Sequence, residues 1–182
     1  GLPLILSGDW NDSLDNVGPN KQGESVWLGL FLSYILENFS KVGEKDFSPI
    51  AHHQAELIEE LAWKDDQFVR AFADDGQVLG FTDSIVQSWA VICSLVNKDL
   101  AKKAMDTVLT KLVDRENGLV KLLAPSIPAN TTPYLGYIQQ YPQGVRENGG
   151  FYCHAAVWVV WALALQGNGD MAKEIIDMIN PL

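Results

Sequence analysis

Cysteine is scarce in this chain of 182 residues: Cys93 and Cys153 stand far apart, each in apolar surroundings. That excludes a disulfide framework and a cysteine-based metal site, and it suits a reducing compartment. Basic residues are also few. The 13 Lys and Arg face 23 Asp and Glu, for a net charge of −10. Such a balance argues against nucleic acid or an anionic membrane as partner. No apolar run reaches the roughly 18 residues that a membrane helix needs, and no signal peptide is visible. These absences fit a cytoplasmic chain that holds no metal and makes no membrane contact.

What is present points to one folded unit. Hydrophobic residues make up 47% of the chain and charged residues 20%, with six Trp; this composition permits a sizeable core and excludes disorder. The chain opens on Gly1-Leu2-Pro3 and closes on Asn180-Pro181-Leu182, directly after a helical pattern. A single segment truncated at both ends is the expectation.

Periodicity predicts an all-α chain of helix pairs. Val26, Trp27, Leu30, Phe31, Tyr34, Ile35 and Phe39 form one stripe, with Glu24 and Ser25 at its start. Ser48, as N-cap, and Pro49 open a second helix with Ala51, Leu57, Ile58 and Leu61 inward. Residues 68–72 are a short extended candidate, and Asp75-Gly76 is a turn. A third helix starts near Thr82 or Asp83, and a fourth runs from Asp99 to Val113. A long non-helical stretch, Asn117 to Gly150, is the kind of loop that carries function. A fifth helix from Phe151 to Leu165 is apolar nearly all round, which predicts full burial. A sixth runs from Asp170 to Ile179. Pairs of this kind build bundles or (α/α) toroids, whose loops at one end make the active face.

Two constellations carry chemistry. In Gly8-Asp9-Trp10-Asn11-Asp12 two carboxylates flank an indole on which a sugar ring can stack. A carboxylic acid against an aromatic wall can serve as a proton donor, because desolvation raises its pKa. The same carboxylates also suit an N-cap or an Asx turn. The second constellation runs from Tyr141 to His154. Arg146 offers a forked donor for oxygen anions or hydroxyls. Glu147 and Asn148 accept hydrogen bonds. Gly149-Gly150 precedes a helix start, a natural anion site, with His154 in its first turn. If both constellations serve one site, they must lie at the same end of the helix array.

These residues resemble the core signature of glycoside hydrolase family 94, which includes cellobiose and chitobiose phosphorylases and the C-terminal part of cyclic β-1,2-glucan synthases. The resemblance runs through Gly8 to Asp12, Gly23-Glu24-Ser25-Val26-Trp27-Leu28, Arg70-Ala71-Phe72, Asp74-Asp75-Gly76 and Asp83-Ser84-Ile85. It continues in Gln87-Ser88-Trp89, Gly136-Tyr137-Ile138, Arg146 to Gly150 and His154-Ala155-Ala156. Asp83-Ser84-Ile85 and Arg146-Glu147-Asn148 are closest in style to the β-1,2-glucan branch. Ser13 stands where the family motif usually has Gly, and the chain between Gly80 and Asp83 is shorter than the family's.

The resemblance implies inverting phosphorolysis of β-linked oligosaccharides on an (α/α)6 barrel, with inorganic phosphate as co-substrate and no cofactor. Asp12 is then the general acid; phosphate, already a nucleophile, needs no base. Asp9, Trp10, Asn11, Gln87, Arg146, Glu147 and Asn148 are implied as sugar contacts. His154, Gly149 and Gly150 are implied for phosphate. The family's upstream Arg-Asp group and its downstream phosphate loop are not in this sequence, so the chain reads as half a toroid. Exposed helix faces should then bind a second copy or the missing halves. Three other readings stand beside this one. One is an inverting hydrolase with Glu147 or Asp83 activating water. Another is a non-catalytic carbohydrate-binding or structural segment of a larger synthase. The last is a helical interaction module, against which the Arg146 to His154 run argues.

Overall fold

A computed structural model describes residues 1–6 and 8–181. Six helices are found among them: α1 (Val26–Ser40), α2 (Ser48–Ala62), α3 (Ser84–Ile92), α4 (Lys98–Lys111), α5 (Cys153–Leu165) and α6 (Gly169–Ile179). Each odd helix packs on the even helix that follows it, and α1, α3 and α5 pack side by side in that order. The result is an arc of an (α/α) toroid, with α1, α3 and α5 in one layer and α2, α4 and α6 behind them.

A repeated unit builds the arc. A two-residue strand precedes α1 (β1, Glu24–Ser25) and another precedes α3 (β5, Thr82–Asp83). After α2 come β2 (Trp63–Lys64), β3 (Gln67–Phe68) and β4 (Ala71–Phe72); after α4 come β6 (Val113–Asp114), β7 (Leu119–Val120) and β8 (Leu123–Ala124). In each unit the first two pair as a hairpin, and the third returns to the strand ahead of the unit's first helix, β4 on β1 and β8 on β5. The β2–β3 turn places Asp65 and Asp66 at φ 52° and 58°, the doubly left-handed turn that matches strand twist. The extended candidate at 68–72 is thus two short strands with Val69 and Arg70 between them.

The caps explain where α1 and α3 begin. Ser25 accepts from Leu28 N, and Asp83 accepts from Ile85 N and Val86 N. In α2 the cap is Phe47 and Ser48 is already helical, a one-residue correction: the Phe47 carbonyl takes the N–H of Ile50 and Ala51. Phe31, Trp89 and Trp158 each stand six positions past the cap of their helix. Their rings meet across the layer, Phe31 to Trp89 at 5.1 Å and Trp89 to Trp158 at 5.5 Å. Equal height past the cap sets the N-termini of α1, α3 and α5 at one end.

The main core lies between the two helix layers, around Val26, Leu30, Ile58, Ile85, Met105, Val108 and Val159. A second apolar cluster, with Ile5, Leu14, Val17, Leu79, Phe81, Leu123, Ile127 and Ile138, lies among loops, short strands and a 3-10 turn, outside the six α-helices. It packs the segment 117–150, through Leu123, Ile127, Leu135 and Ile138, against the loops of the first half of the chain, and the 3-10 turn (Tyr137–Gln140) lies within that segment. The expectation that α5 is fully buried fails. Val157, Trp161 and Leu165 are 47%, 40% and 55% exposed, because α5 has α3 and α6 on two sides and the described chain leaves its remaining face open. No helix among the described residues is long and apolar enough to cross a membrane.

Candidate functional site

The Asp9 to Asp12 turn is built on one arginine. Arg70, wholly buried between β3 and β4, forms an ion pair with Asp9 through Nη2. Nη1 reaches Asp9 Oδ2 at 3.2 Å and Ser25 Oγ at 3.3 Å. Nη2 and Nε donate to Asn11 Oδ1 at 2.8 and 3.3 Å, and Nε lies 3.5 Å from Asp83 Oδ2. The guanidinium thus joins the turn to the caps of both α1 and α3. Asp9 does form the Asx turn, accepting from Asn11 N at 2.9 Å, and it also takes the Ser25 hydroxyl at 2.5 Å. Breaking a buried pair of this kind from one side costs about 3–5 kcal/mol.

Asn11 and Ser13 then reach across to Glu147. Asn11 Nδ2 donates to Glu147 Oε2 at 3.3 Å, and the Ser13 hydroxyl donates to the same oxygen. Burial raises the Glu147 carboxyl; the bonds from Ser13 and Asn11 oppose this, and the nearby Asp12 carboxylate adds to it. Asp12, flanked by these two anchored residues, is exposed. The aromatic wall therefore does not cover it. Its carboxylate instead interacts with the Tyr137 hydroxyl, and this interaction, with a smaller effect of burial, raises the phenol well above its ordinary value. Tyr137 is held there by the 3-10 turn, where its N–H meets Asp15 Oδ1 at 3.2 Å and Ile138 N meets Ser13 O at 2.9 Å. Gly136, at φ 134°, is packed so closely on Ser13 O and the Asp15 side chain that a Cβ would collide with both.

An aromatic group closes the other side. Trp10 lies 4.7 Å from the His154 ring, 5.3 Å from Tyr152 and 6.3 Å from Trp158. His154 is exposed in the first turn of α5, whose N-cap Tyr152 supplies no side-chain cap. Arg146, exposed and at φ 50°, stands over the Tyr141 ring at 5.0 Å. Among the described residues no group of His, Cys, Asp and Glu is arranged to hold a metal ion.

The structure leaves Trp10, Asp12, Arg146 and His154 at least partly accessible; Glu147, 5% exposed, lies beneath Asp12 and holds Asn11 and Ser13, and the other expected residues also have internal work. Asp9 and Asn11 are buried in the Arg70 network. Gln87 is wholly buried, clamping Phe68 N and Phe68 O at 2.8 Å each. Asn148, also buried, accepts from Ile127 N and donates to Ile127 O and Tyr141 O. In this conformation none of these four side chains offers a free face to a sugar. The two glycines differ from expectation as well. Gly149 N donates to Glu147 O and Gly150 N to Arg146 O, so neither N–H is open to an anion. Gly149, at φ 85°, lies against Ser126 and Leu123 O, where the close approach is to the chain itself. Asp83 is buried and capping α3, which removes it as a base for water.

Sequence reasoning assigned no role to Arg70, Ser13, Tyr137 or Tyr152. Only Arg70 carried a usable signal: a lone charge in the otherwise apolar run Phe68-Val69-Arg70-Ala71-Phe72 must find a buried partner.

Comparison with known proteins agrees with the fold. The chain is 42% identical to the cyclic beta-(1,2)-glucan synthase NdvB of Rhizobium meliloti (strain 1021), over 100% of this chain and 7% of that protein. It is 30% identical to N,N'-diacetylchitobiose phosphorylase of Vibrio furnissii, over 100% of this chain and 24% of that protein. To solabiose phosphorylase of Paenibacillus borealis it is 27% identical, over 99% of this chain and 25% of the other. The chain thus spans a quarter or less of the length of these relatives. Cellobiose 2-epimerase from Bacillus thermoamylovorans B4167 shares the fold at TM-score 0.54 and 13% identity, over 88% of this chain and 45% of that one. That share fits an arc of about half a toroid. The sequence model of the glycosyl hydrolase 94 superfamily, catalytic domain, matches residues 1–182, and the chain belongs to that superfamily.

Proposed function

We propose that this chain is the acid-bearing part of a catalytic domain that cleaves β-linked glucosides, β-1,2-linked ones first, by inverting phosphorolysis to a sugar 1-phosphate. One observation carries the reading. Exposed Asp12 stands between two residues anchored to Glu147, its carboxylate interacts with the Tyr137 hydroxyl, and it follows by two positions Trp10, which packs on His154. Protonated Asp12 delivers its proton to the glycosidic oxygen, and Tyr137 stabilises the carboxylate left behind. Trp10 offers the sugar an apolar face. Arg146 and Glu147 contact the acceptor sugar, and His154 holds phosphate at the uncapped start of α5. Asp9, Asn11, Gln87, Asn148, Gly149 and Gly150 shape that frame from behind. The phosphorylase names among the relatives support the reaction type, and the glucan synthase supports the linkage.

Glu147 motivates a second reading, an inverting hydrolase in which this carboxylate activates water beside the acid. The test is product chemistry. The intact enzyme carrying this chain is incubated with a β-1,2-linked glucose oligomer, with and without inorganic phosphate, and the first-formed anomer is followed by proton NMR. Phosphate-dependent α-glucose 1-phosphate is expected. Free glucose released at the same rate without phosphate would establish the hydrolase.

A further inference from the structure

We propose that Arg70 is a positioning residue for bond cleavage: through the side chain of Asn11 it fixes where the Glu147 carboxylate and the Asp12 backbone stand. The inference rests on the reading above, in which Asp12 is the acid and Glu147 an acceptor-sugar contact.

The chemistry of the amide makes the link. Asn11 has one accepting end and one donating end. Arg70 Nη2 and Nε both point at Oδ1, at 2.8 and 3.3 Å. The amide must then turn Nδ2 toward Glu147 Oε2, 3.3 Å away. The reversed amide would set donor against guanidinium and acceptor against carboxylate. Ser13 donates to the same Glu147 oxygen. Asp12 is the residue between these two donors, so a displaced Asn11 moves the acid and the acceptor contact together. Arg70 is itself anchored from the far side by Asp9, Ser25 and Asp83. Those contacts tie it to the ends of α1 and α3, so the helix layer sets the geometry of the exposed acid. A purely structural Arg70 would need only these anchors and not the two bonds to Asn11.

Two substitutions separate the roles. Arg70→Lys keeps a charge against Asp9 and Asp83 but loses the fork. Asn11→Leu keeps the shape of the amide, leaves the ion pair in place and cuts the link to Glu147. The intact enzyme is assayed for kcat and KM with a β-1,2-linked glucose oligomer and with phosphate, for the pH dependence of kcat, and for its thermal midpoint. Both variants should lower kcat by about tenfold to a hundredfold, the scale of a misplaced catalytic group. Both should shift the pH profile in the same direction and leave the KM for phosphate nearly unchanged. The double variant should be no worse than the poorer single one. Costs that multiply in the double variant would overturn the proposal. So would an Asn11→Leu enzyme with the wild-type kcat and profile, and this arm decides alone if Arg70→Lys does not fold. If the wild type makes no sugar 1-phosphate, the phosphorolysis reading fails by itself. Arg70 is then judged on glucose binding by calorimetry, where equal weakening in both variants supports the proposal and unchanged binding refutes it.

Discussion

Trp10 and His154 meet ring to ring, centroids 4.7 Å apart and planes tilted by 51°. One belongs to the turn near the start of the chain and the other to the first turn of α5. Their contact sets the two chemical constellations at one end of the helix layer, as a shared site requires. Tyr152 and Trp158 pack on the same pair, so four rings join the turn that carries Asp12 to the start of α5.

Asp12→Asn keeps the shape of the acid and removes its proton. General acid catalysis contributes about 10²–10⁴-fold, or roughly 3–5 kcal/mol. In the intact enzyme the loss should be of that order for an oligosaccharide, whose leaving group needs protonation. For an activated aryl glucoside it should be far smaller. Steady-state rates on the two substrates decide; equal slowing would make Asp12 a positioning residue and move the search for the acid to Glu147.

His154 has two separable roles, packing on Trp10 and holding an anion. His154→Phe keeps the first and His154→Ala loses both. If the imidazole holds phosphate, both variants should raise the KM for phosphate by a similar factor, with a smaller change in kcat. Recovery of the wild-type KM in His154→Phe would show that only the packing matters.

The loop before α1 should be sensitive to acid. Burial pushes the Asp74 carboxyl up, but the N–H groups of Asn20, Gln22 and Gly23 outweigh this and hold it below the usual carboxylate value. A depressed folded-state pKa means that the stabilisation is full above the unfolded value of about 3.9 and fades as pH falls through the lower folded value. Asp74→Ala should therefore lower the thermal midpoint at neutral pH, and the gap to wild type should close in strong acid. A gap that does not vary with pH would contradict this.

Val157, Trp161 and Leu165 leave an apolar strip open on α5. Strips of this kind associate, and the 182-residue chain on its own should form dimers or larger species in sedimentation velocity. Trp161→Lys should shift the population toward monomer. A wild-type chain that stays monomeric at all concentrations would show that the strip is not sticky enough to act as an interface.

Much of the scaffold was legible in the sequence because its causes are local. Stripes at helical spacing, the Asp83 cap and the Pro49 start depend on side chains that meet their own backbone within one turn, and those are visible in a linear string. The candidate site was proposed for the same reason: Trp10, Asp12, Arg146, Glu147 and His154 sit in short runs of unusual composition. Which polar residues face outward was decided only by the tertiary structure. Asn11 meets Glu147 across 136 positions and Arg70 across 59, while Gln87 is consumed by the backbone of Phe68. A buried polar group must find its partners wherever the fold brings them, and helical or strand periodicity does not encode that distance. The open face of α5 follows the same logic. Its uniform apolarity called for neighbours all round, but which neighbours the chain supplies is a property of how the helices assemble. Local chemistry thus determined the helices and the candidate residues, and long-range packing decided which of them are buried supports and which stand free to act.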